Sequence, residues 1–266
     1  MKTVIMLSGL PRSGSQVMSS LLNQHPEIYS TATCPVADLV VEVMNQWPHM
    51  SAAVVDAPPG QLAHMVQGMI QGAHHHIVKP IVVDKNRWWP RLGHILHEGL
   101  GHPVKIIGTV RPITEILASF VLLIEKNNHQ VTYVDQELHS LGMPINNKNR
   151  CKLLWEKYIQ HPYTSLRMGM NNPHVDLKLV SYDRIVNHSQ QVMDELCAWM
   201  GVPSHNVDLY NLQQMPEHDH NHGGLVGLHD VRPHMARTSP SAKQVLGAYL
   251  VDYYDNMNVD FWRNHI

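Results

Sequence analysis

The chain has 266 residues, 44% hydrophobic and 16% charged, which is enough to bury a full core in one domain spanning residues 1–266. Lys+Arg 20 against Asp+Glu 22 leaves a formal net charge of −2, so the balance argues against a nucleic-acid scaffold and makes any anion site local. Three widely spaced cysteines indicate neither a disulfide framework nor a structural zinc site, and they fit a reducing compartment.

The N-terminus carries one lysine and then an apolar stretch broken by Ser8 and Gly9, too short for a signal segment or a membrane span. The expectation is a cytoplasmic protein without membrane contact. Val4 to Leu7 reads as a buried strand running into Gly-Leu-Pro. Val17, Met18, Leu21 and Leu22 recur at helical spacing until His25-Pro26 stops them. The stretch "IVKPIVVD" (77–84) predicts a second strand, with Pro80 placing its first half at an edge or outside the sheet, and a helix over about 89–100 follows.

A third strand, "VKIIGTV" (104–110), leads to Pro112 at the start of a helix whose apolar face is Ile113, Ile116, Leu117, Phe120, Val121 and Ile124. Residues 127–170 read as loop and then helix, with Leu153, Leu154, Trp155 and Tyr158 as packing candidates. "LKLVSY" (177–182) predicts a fourth strand, and a helix over 192–200 is closed by Gly201 and Pro203. From 213 to 240 periodicity fades among Gly, His and Pro, as in a functional lid or a disordered stretch. Strands alternating with helices predict an α/β, P-loop-like three-layer fold, with a central parallel sheet of four to five strands flanked by helices.

Ligands of such sheets sit at the carboxyl ends of the strands, where helix N-termini present free N–H groups to an anion. "LSGLPRSGSQ" (7–16) occupies such a junction. Gly9 and Gly14 have P-loop spacing, but Ser15 stands where a triphosphate site has lysine. The basic group is Arg12, inside the loop, with Ser13, Ser15 and Gln16 as neutral donors. A second pair, Arg111 after the third strand and Ser119 two helical turns on, suits a separate phosphate.

Together the two loops resemble the sulfotransferases that use 3′-phosphoadenosine 5′-phosphosulfate (PAPS), most of all bacterial members whose first loop reads Gly-Leu-Pro-Arg-Ser-Gly-Ser. "VSYDRI", "DKNRWWP" and "GLHDVRPHM" are similar to further segments of that family. The resemblance implies that Pro11, Arg12, Ser13, Gly14, Ser15 and Gln16 hold the 5′-phosphosulfate. It implies further that Arg111 and Ser119 hold the 3′-phosphate, and that Tyr182 approaches the adenine. The family usually has Ser or Thr where Gln16 stands.

Sulfuryl transfer asks a protein to position reactants and stabilise spread negative charge, roles that fall to Arg12 and Lys85. Lys85 either faces the first loop or pairs with Asp84. The base is harder to find. Cytosolic members place a histidine two positions after the lysine, where this chain has Arg87, and "STATCPV" lacks the glutamate of tyrosyl-protein members. Glu42, with Asp38 second, is the expected carboxylate.

The one-apart histidines of "HDHNH" (218–222) do not preset a tetrahedral site, so no metal is expected, and "HHH" (74–76) reads as loop. His229, Arg232 and His234 are candidates to contact nucleotide or acceptor. Trp88 and Trp89 either pack or wall the acceptor site. The expected activity is sulfuryl transfer from PAPS to a small-molecule, glycan or peptide hydroxyl or amine, without nucleic acid or required metal; a homo-oligomer is compatible. The alternatives are a kinase-like phosphotransferase and a catalytically silent nucleotide-binding module. The acceptor is not readable from the sequence.

Overall fold

The computed structural model describes residues 2–50, 56–214, 221–234, 240–257 and 259–266. Five strands form one all-parallel sheet: β1 (Thr3–Gly9), β2 (Ile28–Ser30), β3 (Ile81–Lys85), β4 (Val104–Val110) and β5 (Val175–Ser181), in the order β2-β3-β1-β4-β5. Parallel neighbours require crossovers, and the intervening helices supply them. Alternation along the strands feeds two cores. Ile5 and Leu7 pack with Met18 and Leu22 of α1 (Ser15–Asn23), whereas Met6 and Ile106 pack with Val40 of α2 (Val36–Gln46) and Val66 of α3 (Gln61–Ala73). Covered on both faces, the central strands are largely apolar, which is why β1 and β4 are legible as near-continuous runs.

The strand predicted over 77–84 is β3, and it begins at Ile81, after Pro80, as the proline ring predicts. The helix expected over 89–100 divides into a 3₁₀ turn (Trp89–Leu92) and α4 (Gly93–Leu100). Beyond β4, α5 (Ile113–Lys126) buries all six predicted apolar positions in a third core. At about 1.5–3 kcal/mol per fully buried large aliphatic or aromatic side chain, that face anchors the helix carrying Ser119.

Residues 127–170 contain more structure than the sequence shows. They form α6 (Tyr133–Ser140), α7 (Asn147–Leu153), a wider π turn (Leu154–Ile159) and α8 (Gln160–Met170). After β5 come α9 (Tyr182–Asn187) and α10 (Ser189–Met200), the latter ended by Gly201 at φ 83. Two short antiparallel strands, β6 (Asn221–His222) and β7 (Leu225–Val226), lie in the lid-like stretch. Then α11 (Ala242–Leu246) and α12 (Ala248–Asn256) return to the α5 core through Leu246, Leu250 and Tyr254. Of "HDHNH", residues 218–220 lie outside the described residues, as does Met235 of "GLHDVRPHM". Among the described residues no helix is long and apolar enough to cross a membrane.

Candidate active site

Four neighbouring strands end at one edge, and each delivers a site residue there. Gly9 closes β1 opposite Thr109 of β4. A Cβ at Gly9 would lie 2.0 Å from Thr109 Oγ1 and 2.8 Å from its carbonyl oxygen, so only glycine lets the loop leave the sheet this close to β4. Gly14, at φ 92, is the N-cap of α1 and supplies no side-chain cap, which leaves the first N–H groups of that helix turned to the cavity mouth.

Arg12 takes φ 59, a left-handed conformation that costs a non-glycine residue about 1 kcal/mol. Its contacts over-determine it. Nε donates to Ser119 Oγ at 3.1 Å, Nη1 donates to the Leu228 carbonyl, and the Arg12 carbonyl accepts from Arg111 Nη1 at 3.2 Å. Arg111 in turn donates from Nε to Glu115 Oε2 at 3.0 Å and lies over the Tyr182 ring at 4.2 Å. The two loops that the sequence separates into a 5′ and a 3′ site are therefore one hydrogen-bonded wall. Burial, and then the neighbouring Arg111, lower the Arg12 pKa to about 10, which still leaves it charged at neutral pH.

Tyr182 occupies the first position of α9, whose N-cap Ser181 accepts from the Arg184 N–H. That turn holds its ring against Gly14 and Arg111. Lys85 ends β3, and strand alternation sends it away from Asp84. Asp84 is fully buried, accepting from Trp89 Nε1 at 2.8 Å and lying 2.6 Å from His74 Nε2. Cys34 completes this cluster; its thiol also bonds Asp84, and burial raises its pKa to about 12. His74 lies in a turn after α3, as the loop reading expects, and its ring is buried against Asp84. Burial first, and then Arg87, bring the Lys85 ammonium down to about 7.

Pro11, Arg12, Gly14, Ser15, Gln16, Lys85, Arg111, Ser119 and Tyr182 all line a single cavity of about 660 Å³. Two expected residues do not. Ser13 is fully buried, with Oγ 2.6 Å from the Leu10 carbonyl and 2.7 Å from Thr109 Oγ1, so its hydroxyl fixes the loop and is not a donor to the cavity. Glu42 is exposed, accepts from Gln46 one turn on, and stands off the cavity wall; Asp38, a turn earlier on α2, faces it and accepts from Asn86 Nδ2 at 2.7 Å. Gln16 keeps Oε1 buried and unpaired. A smaller cavity of about 280 Å³ adjoins, sharing Arg111 and Ser119 and bounded by Pro240, Ser241 and Ala242.

The lid-like segment contributes His229, Arg232 and His234 to the lining of the main cavity. The tryptophans divide: Trp89 is fully buried, and Trp88 lines the cavity. Sequence reasoning missed the remaining wall, formed by Tyr133, Tyr158 and His161 around Arg87. Tyr158 reads as a packing residue, and no local signal marks His161, because only the path of the π turn and α8 brings them to the sheet edge. The His161 ring packs on Trp88 at 3.8 Å; burial, then Arg91 and Arg87, lower its pKa.

A parallel sheet with an open helix start, two interlocked arginines and a lysine at its carboxyl edge defines an α/β protein with a cationic cavity at the strand ends. The chain belongs to the sulfotransferase family, whose model matches residues 5–206. Among solved structures, it is similar to the sulfotransferase domain from the curacin biosynthetic pathway, at 18% identity and a TM-score of 0.51, over 94% of this chain and 97% of that one. It is also similar to a sulfotransferase from Alicyclobacillus acidocaldarius, at 13% identity and a TM-score of 0.50, over 82% of this chain and 87% of that one. These likenesses show the fold. No curated protein matches the sequence. Sulfuryl transfer in general is the chemistry that the family and fold support.

Proposed function

We propose that the protein transfers a sulfuryl group from PAPS to the hydroxyl or amine of a small-molecule, glycan or peptide acceptor. The observation that carries this reading is the Arg12–Ser119–Arg111 wall beside the open N-terminus of α1. It offers two guanidinium groups, a hydroxyl and backbone donors within reach of one ligand, as a nucleotide with phosphates at two ends requires. Tyr182, with one face on Arg111, is placed to border the base.

The donor, when bound, supplies the sulfuryl group: a bond forms from acceptor oxygen or nitrogen to sulfur as the bond to the bridging oxygen breaks, and adenosine 3′,5′-bisphosphate leaves. Arg12 and Lys85 stabilise the charge on the leaving side. Asp38 and His161 face the acceptor half and are the groups able to take its proton. His161 suits the role because its lowered pKa keeps it neutral near pH 7. The protein's own cations carry these roles, so the reading requires no metal.

Calorimetry with adenosine 3′,5′-bisphosphate in EDTA tests the donor site. Binding is expected, weakened about 100-fold by Arg111→Ala, the loss of a bidentate charged contact. No binding in EDTA, together with turnover of magnesium-ATP, would replace the reading by a phosphotransferase. Labelled PAPS incubated with a cell extract then identifies the acceptor, and transfer to any compound separates an enzyme from a silent binding module.

A further inference from the structure

Arg87 is a cavity cation that the donor reading does not use. Arg12 and Arg111 are locked into the loop and α5, and Lys85 stands beside the loop at the end of β3. Arg87 projects from the next turn into the same cavity, with its backbone held where its carbonyl accepts from Ser165 Oγ of α8 at 2.8 Å. Among the described residues its guanidinium has no carboxylate partner and no side-chain hydrogen bond. It is exposed to the cavity, and its electrostatic neighbours are Tyr133, Lys85 and His161.

The nearby acids are already engaged. Glu137 accepts from the Tyr158 hydroxyl at 2.8 Å and lies 3.3 Å from Lys157 Nζ, while Asp38 accepts from Asn86. Exposed to the cavity and without a carboxylate partner, the guanidinium is open to an anion, and its planar fork matches an oxyanion. Around it stand the apolar faces of Trp88, Tyr133 and Tyr158.

We propose that the acceptor is itself anionic: a molecule with an aromatic or apolar body lodged among Trp88, Tyr133 and Tyr158 and a carboxylate or phosphate group held by Arg87. This rests on the PAPS reading, which assigns Arg12, Arg111 and Lys85 to the donor. Arg87 thereby selects acceptors by charge, and the reacting hydroxyl is oriented from a contact remote from sulfur.

The test loads the protein with adenosine 3′,5′-bisphosphate and measures binding of three probes by ligand-observed NMR: 4-hydroxyphenylacetate, its neutral amide, and 4-hydroxyphenyl phosphate. At least one anion is expected to bind tenfold or more tightly than the amide. Arg87→Met should erase that preference and leave bisphosphate affinity within twofold; which anion leads decides between carboxylate and phosphate. Equal binding of all three, binding of none, or a preference that survives in Arg87→Met overturns the inference. Failure of the bisphosphate to bind is read at the loading step, and it marks failure of the donor reading instead.

Discussion

Lys85 puts a group that titrates near neutral pH into the cavity. With its pKa brought down to about 7, the ammonium is largely neutral at pH 8 in the free protein. A bound phosphosulfate or bisphosphate favours the charged form and raises that pKa, so binding at pH 8 takes up a proton. Affinity is therefore greatest below about pH 7 and declines as pH rises toward the bound-state value, by at most about tenfold per pH unit. Calorimetry in two buffers of different ionisation enthalpy reads the uptake, and Lys85→Met should abolish it; buffer-independent heats for the native protein would contradict the assignment. Other single residues show how far local reading reaches. Gly9, Arg12 and Gly14 are legible from the sequence because close approach and left-handed backbone are local demands. Ser13 and Glu42 mislead because residue type and spacing do not say which way a side chain points.

At the scale of elements, the end of β3 is a small buried machine for aiming Lys85. Asp84 accepts bonds from His74 at the end of α3, from Trp89 in the 3₁₀ turn and from Cys34 ahead of α2, so three elements are tied to one strand end. Removing the shared acceptor leaves buried donors unsatisfied, which costs about 1–3 kcal/mol. Asp84→Ala should lower the urea-unfolding free energy by that amount. Unchanged stability would show that the cluster is not holding the strand. The elements themselves differ in legibility. β1, β4 and α5 announce themselves by continuous apolar runs or a wide apolar face. By contrast β2 has only three residues, and α6 is half polar, its signal resting on a Thr132 cap that accepts from the Asp135 N–H.

Across the whole molecule, the site is completed by sequence outside the segment that the family model matches. Residues 5–206 supply the sheet and both loops, but Leu228 closes on Arg12, His222, His229 and His234 line the cavity, and α11 and α12 pack on α5. A ligand bridging these parts stabilises the fold by mass action, about 2.7 kcal/mol at one hundred times its Kd. Saturating adenosine 3′,5′-bisphosphate should thus raise the melting temperature by about 5 °C or more, and Arg12→Ala should remove the rise. A melting temperature unmoved by ligand in the native protein would dissociate the C-terminal wall from donor binding.

By itself the sequence determined the parallel α/β architecture, the anion loop and the Arg111–Ser119 pair, because hydrophobic period, glycine spacing and helix phase are properties of neighbouring residues. Only the tertiary structure decided that the two loops form one wall, that Asp84 turns inward and Lys85 outward, and that Tyr133, Tyr158 and His161 surround Arg87. Those relations join positions up to 216 residues apart, as Arg12 and Leu228 are, and they exist only once the sheet order and packing bring their strand ends and helices to one edge.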